Sequence, residues 1–156
     1  AAREMEGWGF GGVAVCPDGG RLAAGDDVGV VRGWDVTAGF HRTTIASSVV
    51  GLRGMALSPD SCLLAIGQGS VTNSSPADGS GLQVWDVAEE HPKLIFAGID
   101  DAVLCISFAP DGKSMALGGL DAQSGESLIR VLDTETFQVQ SQISLDHGIP
   151  VQIETL

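Results

Sequence analysis

The chain has 156 residues, with 8 Lys+Arg against 20 Asp+Glu, a net charge of −12, and lysines only at Lys93 and Lys113. A surface this acidic repels phosphates rather than displacing their counterions, which argues against a nucleic-acid-binding face. The apolar fraction is 44% and the mean hydropathy is +0.21, so a disordered chain is excluded and one folded body of ordinary domain size is expected.

The first segment, Gly7-Trp8-Gly9-Phe10-Gly11-Gly12, contains G-x-G-x-x-G. That pattern holds a pyrophosphate where it follows a strand and opens a helix. Here it precedes an apolar run, and the glycines read as an entry loop. Trp8 is either a binding aromatic or part of the core of the opening unit.

The first unit begins at GVAVC, a short apolar run, and turns at Pro17-Asp18-Gly19. Pro presets φ, Asp bonds back to the backbone and Gly accepts a positive φ. A second run, RLAAG, leads to Asp26-Asp27. A third, VVRGWDV, closes on Trp34-Asp35, and HRTTIA is the fourth.

The second unit repeats this order: GMALS, a turn at Pro59-Asp60-Ser61, CLLAIG, LQVWDV closing on Trp85-Asp86, and KLIFAG. Ser61 stands in place of the Gly, so this turn is less well specified. In LQVWDV the alternation puts Leu82, Val84 and Asp86 on one face, with Gln83 and Trp85 on the other. The polar segment 70–81, SVTNSSPADGSG, is a surface insertion or a partner-contacting loop. Its Asn73-Ser74-Ser75 triplet is read as coincidental.

The third unit follows Asp100-Asp101 and reads CISFA, Pro110-Asp111-Gly112, SMALGG, the loop DAQSGES, LIRVLDT ending on Asp133, and QVQSQISL. Pro150–Leu156 matches the first strand of a further unit. The prolines are 42 and 51 residues apart, a period near 45, and no stretch of 12 or more has helical periodicity. The fold expected is all-β.

Four short strands per period, a Pro-Asp turn, and Trp-Asp at the end of the third strand resemble the WD-repeat β-propellers, over nearly the whole chain. The expected architecture is a partial propeller: blade I at 1–46, blade II at 47–97, blade III at 98–145 and the first strand of blade IV at 146–156. The resemblance implies that Trp34 and Trp85 pack against the neighbouring blade and that Asp35, Asp86 and Asp133 close the turn into the fourth strand. The third unit departs with Leu132-Asp133. Gly98-Ile99 and Asp146-His147 stand where the family has Gly-His, and the tetrad of His, Asp, Ser/Thr and Trp is incomplete in every unit. The repeats are also similar to those of lactonase- and quinoprotein-like propellers.

Propellers close with about 4–8 blades, and blades bury their apolar faces only against neighbours. The chain is therefore expected to be a piece of a longer polypeptide, or to complete its ring with another chain. No apolar run approaches the about 18 residues of a membrane-spanning helix, and no leader pattern is visible.

Candidate chemistry is sparse. Asp26-Asp27 and Asp100-Asp101 read as solvated turn residues, and His41, His91 and His147 are scattered. Cys16, Cys62 and Cys105 read as small buried thiols in a reducing, intracellular compartment. No catalytic, metal or cofactor residue is assigned. The residues singled out are those of the repeat motif: Pro17, Asp18, Trp34, Asp35, Pro59, Asp60, Trp85, Asp86, Pro110, Asp111 and Asp133. The function expected is a non-enzymatic scaffold for protein partners. The alternative is a fragment of a lactonase- or quinoprotein-like propeller enzyme, with a metal or cofactor in its central channel.

Overall fold

The computed structural model describes residues 10–39, 41–46, 51–69, 81–88, 93–146 and 149–155. Three antiparallel sheets follow one another along the chain, and no helix occurs among the described residues. The first runs in the order β1 (Phe10–Val15), β2 (Arg21–Asp26), β3 (Val31–Asp35) and β4 (His41–Ala46). The second contains β5 (Leu52–Leu57), β6 (Leu63–Gln68), β7 (Gly81–Asp86) and β8 (Lys93–Gly98). The third contains β9 (Ala102–Phe108), β10 (Ser114–Leu120), β11 (Ser127–Asp133) and β12 (Val139–Asp146). Each sheet is a meander of consecutive strands, and β1 lies against β5 as β5 lies against β9. This is the all-β, partial-propeller arrangement expected from the repeat.

The last strand, β13 (Ile149–Thr155), is placed differently from the expectation. It pairs antiparallel with β12 as a fifth strand of the third sheet, Ile143 opposite Ile153, rather than opening a fourth one. A strand edge offers backbone N–H and C=O groups to any segment that can pair with it, and β13 takes up the outer edge of β12.

The Pro-Asp turns repeat at atomic level. The carboxylate of Asp18 accepts from the Gly20 N–H at 2.7 Å, that of Asp60 from Cys62 at 3.0 Å and that of Asp111 from Lys113 at 3.0 Å. The residue after each Asp is left-handed: Gly19 at φ 72°, Ser61 at 61° and Gly112 at 71°. Ser61 therefore adopts the glycine conformation despite its side chain. Extra bonds support it: the Ser58 hydroxyl donates to Asp60 at 2.5 Å and accepts from the Leu63 N–H at 2.9 Å.

The sheets pack face to face in sequence. One core joins Ala14, Cys16, Ala23, Val31 and Ile45 of the first sheet and its turn to Met55, Leu57, Leu64 and Ile66 of the second. The other joins Ala65, Leu82 and Val84 of the second to Val103, Met115, Leu117 and Leu132 of the third. Close approach sets one glycine: a Cβ on Gly67 would lie 2.7 Å from the Val103 carbonyl oxygen.

Candidate interaction surface

The middle sheet has one face toward the first sheet and the other toward the third. On the innermost strands, Met55 and Leu57 of β5 are buried against the first sheet, and Ile106 and Phe108 of β9 pack against the second. The matching residues of β1 are Val13 and Val15, which are 65% and 60% exposed. The opposite flank behaves likewise. Ala23 and Val31 of the first sheet and Ala65, Leu82 and Val84 of the second are buried, whereas Ala116, Ile129 and Val131 of the third are only half-buried. The same strand chemistry is thus covered where a sheet follows it and open where none does.

The repeat-motif residues are brought to one end of the sheets, beside the Pro-Asp turns. Across β2 and β3 Arg21 stands opposite Asp35; across β6 and β7 Leu63 stands opposite Asp86; across β10 and β11 Ser114 stands opposite Asp133. Each aspartate closes the following turn. Asp35 accepts from the Thr37 hydroxyl at 2.7 Å and the Ala38 N–H at 2.8 Å, Asp86 from the Ala88 N–H at 3.0 Å, and Asp133 from Glu135 and Thr136 N–H groups at 3.0 and 2.8 Å. The Thr37 hydroxyl holds the Asp35 carboxyl below the ordinary carboxylate range, as the Thr136 N–H does for Asp133. The Gly20 N–H does the same for Asp18, and the Ser58 hydroxyl for Asp60.

Trp85 packs, partly buried, against the core shared with the first sheet, and its indole N–H donates to Gln83 at 3.1 Å. Trp34 is half-buried.

Two expectations about charged and thiol groups need correction. Asp27 and Asp100 are exposed turn residues as read, but Asp26 and Asp101 are 1% and 5% exposed. Asp26 accepts from the Val30 N–H at 2.8 Å and pairs with Arg32 at 3.1 Å. Asp101 accepts from the Ala122 N–H at 3.1 Å and pairs with Arg130, which also reaches Asp121 at 3.7 Å and Gln142 at 2.9 Å. Burial pushes the Asp101 carboxyl above its ordinary range against the pull of these partners. A signal was available in sequence: Arg32 and Arg130 occupy the same position of their units, three residues before Asp35 and Asp133.

Of the cysteines, Cys16 is buried, Cys62 half-buried and Cys105 exposed, and all are free. Cys105 is exposed because Ile106 and Phe108 take the β9 face toward the second sheet, and alternation turns Cys105 away with Ser107. Burial raises the Cys62 thiol above its ordinary range. Among the described residues, no three His, Cys, Asp or Glu side chains are grouped to hold a metal ion. Trp8, His91, His147, the first three residues of the G-x-G-x-x-G segment and residues 70–80 of the polar insertion lie outside the described residues.

Between the first and second sheets lies a cavity of about 140 Å³, lined in part by Ala23, Gly33, Ile45 and Leu57. The Arg21 guanidinium crosses from one sheet to the other at its edge, donating to the carbonyls of Ser61 at 2.9 Å, Val87 at 2.8 Å and Ala88 at 3.4 Å.

Consecutive four-stranded meanders packed face to face, with their first strands side by side, define a β-propeller segment. Solved structures agree at the level of fold. The Cps50 (Swd1) β-propeller domain of Myceliophteria thermophila matches with a TM-score of 0.69 and 13% identity, over 90% of this chain and 43% of that one. Kuenenia stuttgartiensis hydrazine synthase matches with a TM-score of 0.62 and 17% identity, over 94% of this chain and 37% of that one. The chain thus spans less than half the length of either. No family model and no curated protein matches the sequence.

Proposed function

We propose that this chain is a non-enzymatic interaction scaffold, a WD-repeat-type propeller segment that presents its blade faces and loops to protein partners. The observation that carries the reading is the exposure of Val13 and Val15, whose counterparts in the other two units are packed against a preceding sheet. Apolar blade faces are stable where another protein surface covers them. That surface belongs to the rest of a longer polypeptide or to another subunit of a complex, and the acidic surface of this chain favours a basic or mixed face on its partner. The WD-repeat assignment is supported by Trp34-Asp35 and Trp85-Asp86 at matching strand ends, together with the likeness to the Swd1 propeller domain. The three free cysteines support a reducing, intracellular setting.

The test compares the tagged chain with its Val13→Asp/Val15→Asp variant by affinity purification and quantitative mass spectrometry. Proteins recovered with the wild type and lost with a still-folded variant support the scaffold. Lactone hydrolysis or tight divalent-cation binding by the purified protein would overturn it in favour of a propeller enzyme.

A further inference from the structure

We infer that the cavity between the first and second sheets is a docking site for one compact apolar side chain, Leu or Phe in size, carried on a basic segment of a protein partner. The inference rests on the scaffold reading above and gives that scaffold a specific anchor point.

The cavity follows from differences between units at matching positions. Gly33 stands opposite Ala23 across β2 and β3, where the second unit has Val84 opposite Ala65 and the third has Val131 opposite Ala116. Leu57 stands where the third unit has Phe108, and Arg21 where the second has Leu63. At the second interface Leu63, Val84 and Phe108 all belong to the apolar cluster. At the first, the smaller Gly33 and Leu57 leave room, and the Arg21 side chain is drawn to the carbonyls of Ser61, Val87 and Ala88. The space thus follows from the small residues that this pair of sheets carries at those positions.

Size and chemistry select the occupant. Sites for drug-sized ligands and cofactors run to about 300–1,000 Å³, so about 140 Å³ is too small for one. An apolar cavity of about 150 Å³ takes up benzene, which is the bulk of one Leu or Phe side chain. Ala23, Gly33, Ile45 and Leu57 give it an apolar lining, while Thr43 and Asp35 add polar atoms. Single side chains filling such pockets are the usual anchors of protein interfaces. The carboxylate of Asp35 and the net charge of −12 favour Lys or Arg beside the anchor. Arg21, which lines the same cavity with its guanidinium held by three carbonyls, is the nearby cation that such a segment has to avoid.

The experiment is an NMR titration of the full chain, following backbone amides, with acetyl-Lys-Leu-Lys-amide, its Ser and Glu-Leu-Glu analogues, and benzene as probes. The leucine peptide is expected to shift the amides of Ala23, Gly33, Thr43 and Val87, with at least tenfold weaker binding of the serine and glutamate analogues. Gly33→Val and Leu57→Phe, which introduce the residues carried by the other units, are expected to abolish those shifts without lowering Tm. A Cβ at Gly33 would meet Ile45 Cδ1 at 2.9 Å, so if Gly33→Val fails to fold, Leu57→Phe carries the test. Equal binding of the leucine and serine peptides, shifts that survive cavity filling, or benzene binding without peptide binding would each overturn the inference. None of these outcomes touches the scaffold reading, whose own test is made on Val13 and Val15.

Discussion

Leu64 and Ala65 are consecutive on β6, both are 0% exposed, and they belong to different hydrophobic cores. Strand alternation turns Leu64 to the first sheet and Ala65 to the third, so the middle sheet is apolar on both faces. Leu64→Ala is expected to cost about 2–5 kcal/mol by opening a hole in the first core, and Leu82→Ala a similar amount in the second. Because the two sites face away from each other, the double variant should add to within about 0.5 kcal/mol. Urea unfolding of the singles and the double checks both statements.

The innermost strands predict an asymmetry between equivalent residues. Val15→Asp lies on an exposed surface and is expected to change stability by no more than about 0.5 kcal/mol. Leu57→Asp puts a charge into the first core and is expected to cost on the order of 4 kcal/mol. Equal effects in denaturant melts would contradict the assignment of faces.

Gly67 sits where β6 crosses the backbone of β9. Gly67→Ala brings a Cβ to 2.7 Å from the Val103 carbonyl oxygen, against backbone rather than a movable side-chain tip. A loss of about 1–3 kcal/mol is expected from the forced shift, read as a lowered Tm.

Arg21 acts as a staple between two sheets. Arg21→Met keeps much of the apolar stem and removes the bonds to Ser61, Val87 and Ala88, for an expected cost of about 1–3 kcal/mol. Arg21→Lys should rescue little of it, since a point charge lacks the fork that reaches several carbonyls at once. Unfolding midpoints of the three proteins make the comparison.

The turn carboxylates and Asp101 respond to pH with opposite sign. Asp18, Asp35, Asp60, Asp121 and Asp133 are held below the ordinary range in the folded state. Their contribution is present above the unfolded-state value and is lost as pH falls through the folded one. Asp101 is held above the ordinary range, so its contribution is present at low pH and lost as pH rises through its folded value. Stability should therefore fall on acidification below the carboxylate range. The advantage of wild type over Asp101→Asn should shrink as pH rises from that range toward neutrality. Melting curves across that interval, with an advantage that instead grows, would reverse the sign assigned to Asp101.

Much of the fold was legible because its information is local. A turn at Pro-Asp-Gly needs only its own residues, and the alternation of LQVWDV assigns Leu82 and Val84 to one face and Trp85 to the other before any neighbour is known. The burial of Asp26 and Asp101 was legible only in part: Arg32 and Arg130 recur at one position of their units, but an acidic pair beside a turn looks the same in sequence whether or not that arginine lies across it. Arg130 is 29 residues from Asp101, and only the folding of β11 beside the loop brings them together. The exposure of Cys105 is likewise a matter of which face of β9 meets a partner sheet.

By itself, the sequence determined the period, the strands, their turns and the two faces of each strand, since propensity and alternation act over a few residues. Tertiary structure decided which of those faces are covered. It also decided that β13 joins β12, and that the Gly33 position opens a cavity where Val84 fills one, since these depend on what chain-distant segments place against each surface.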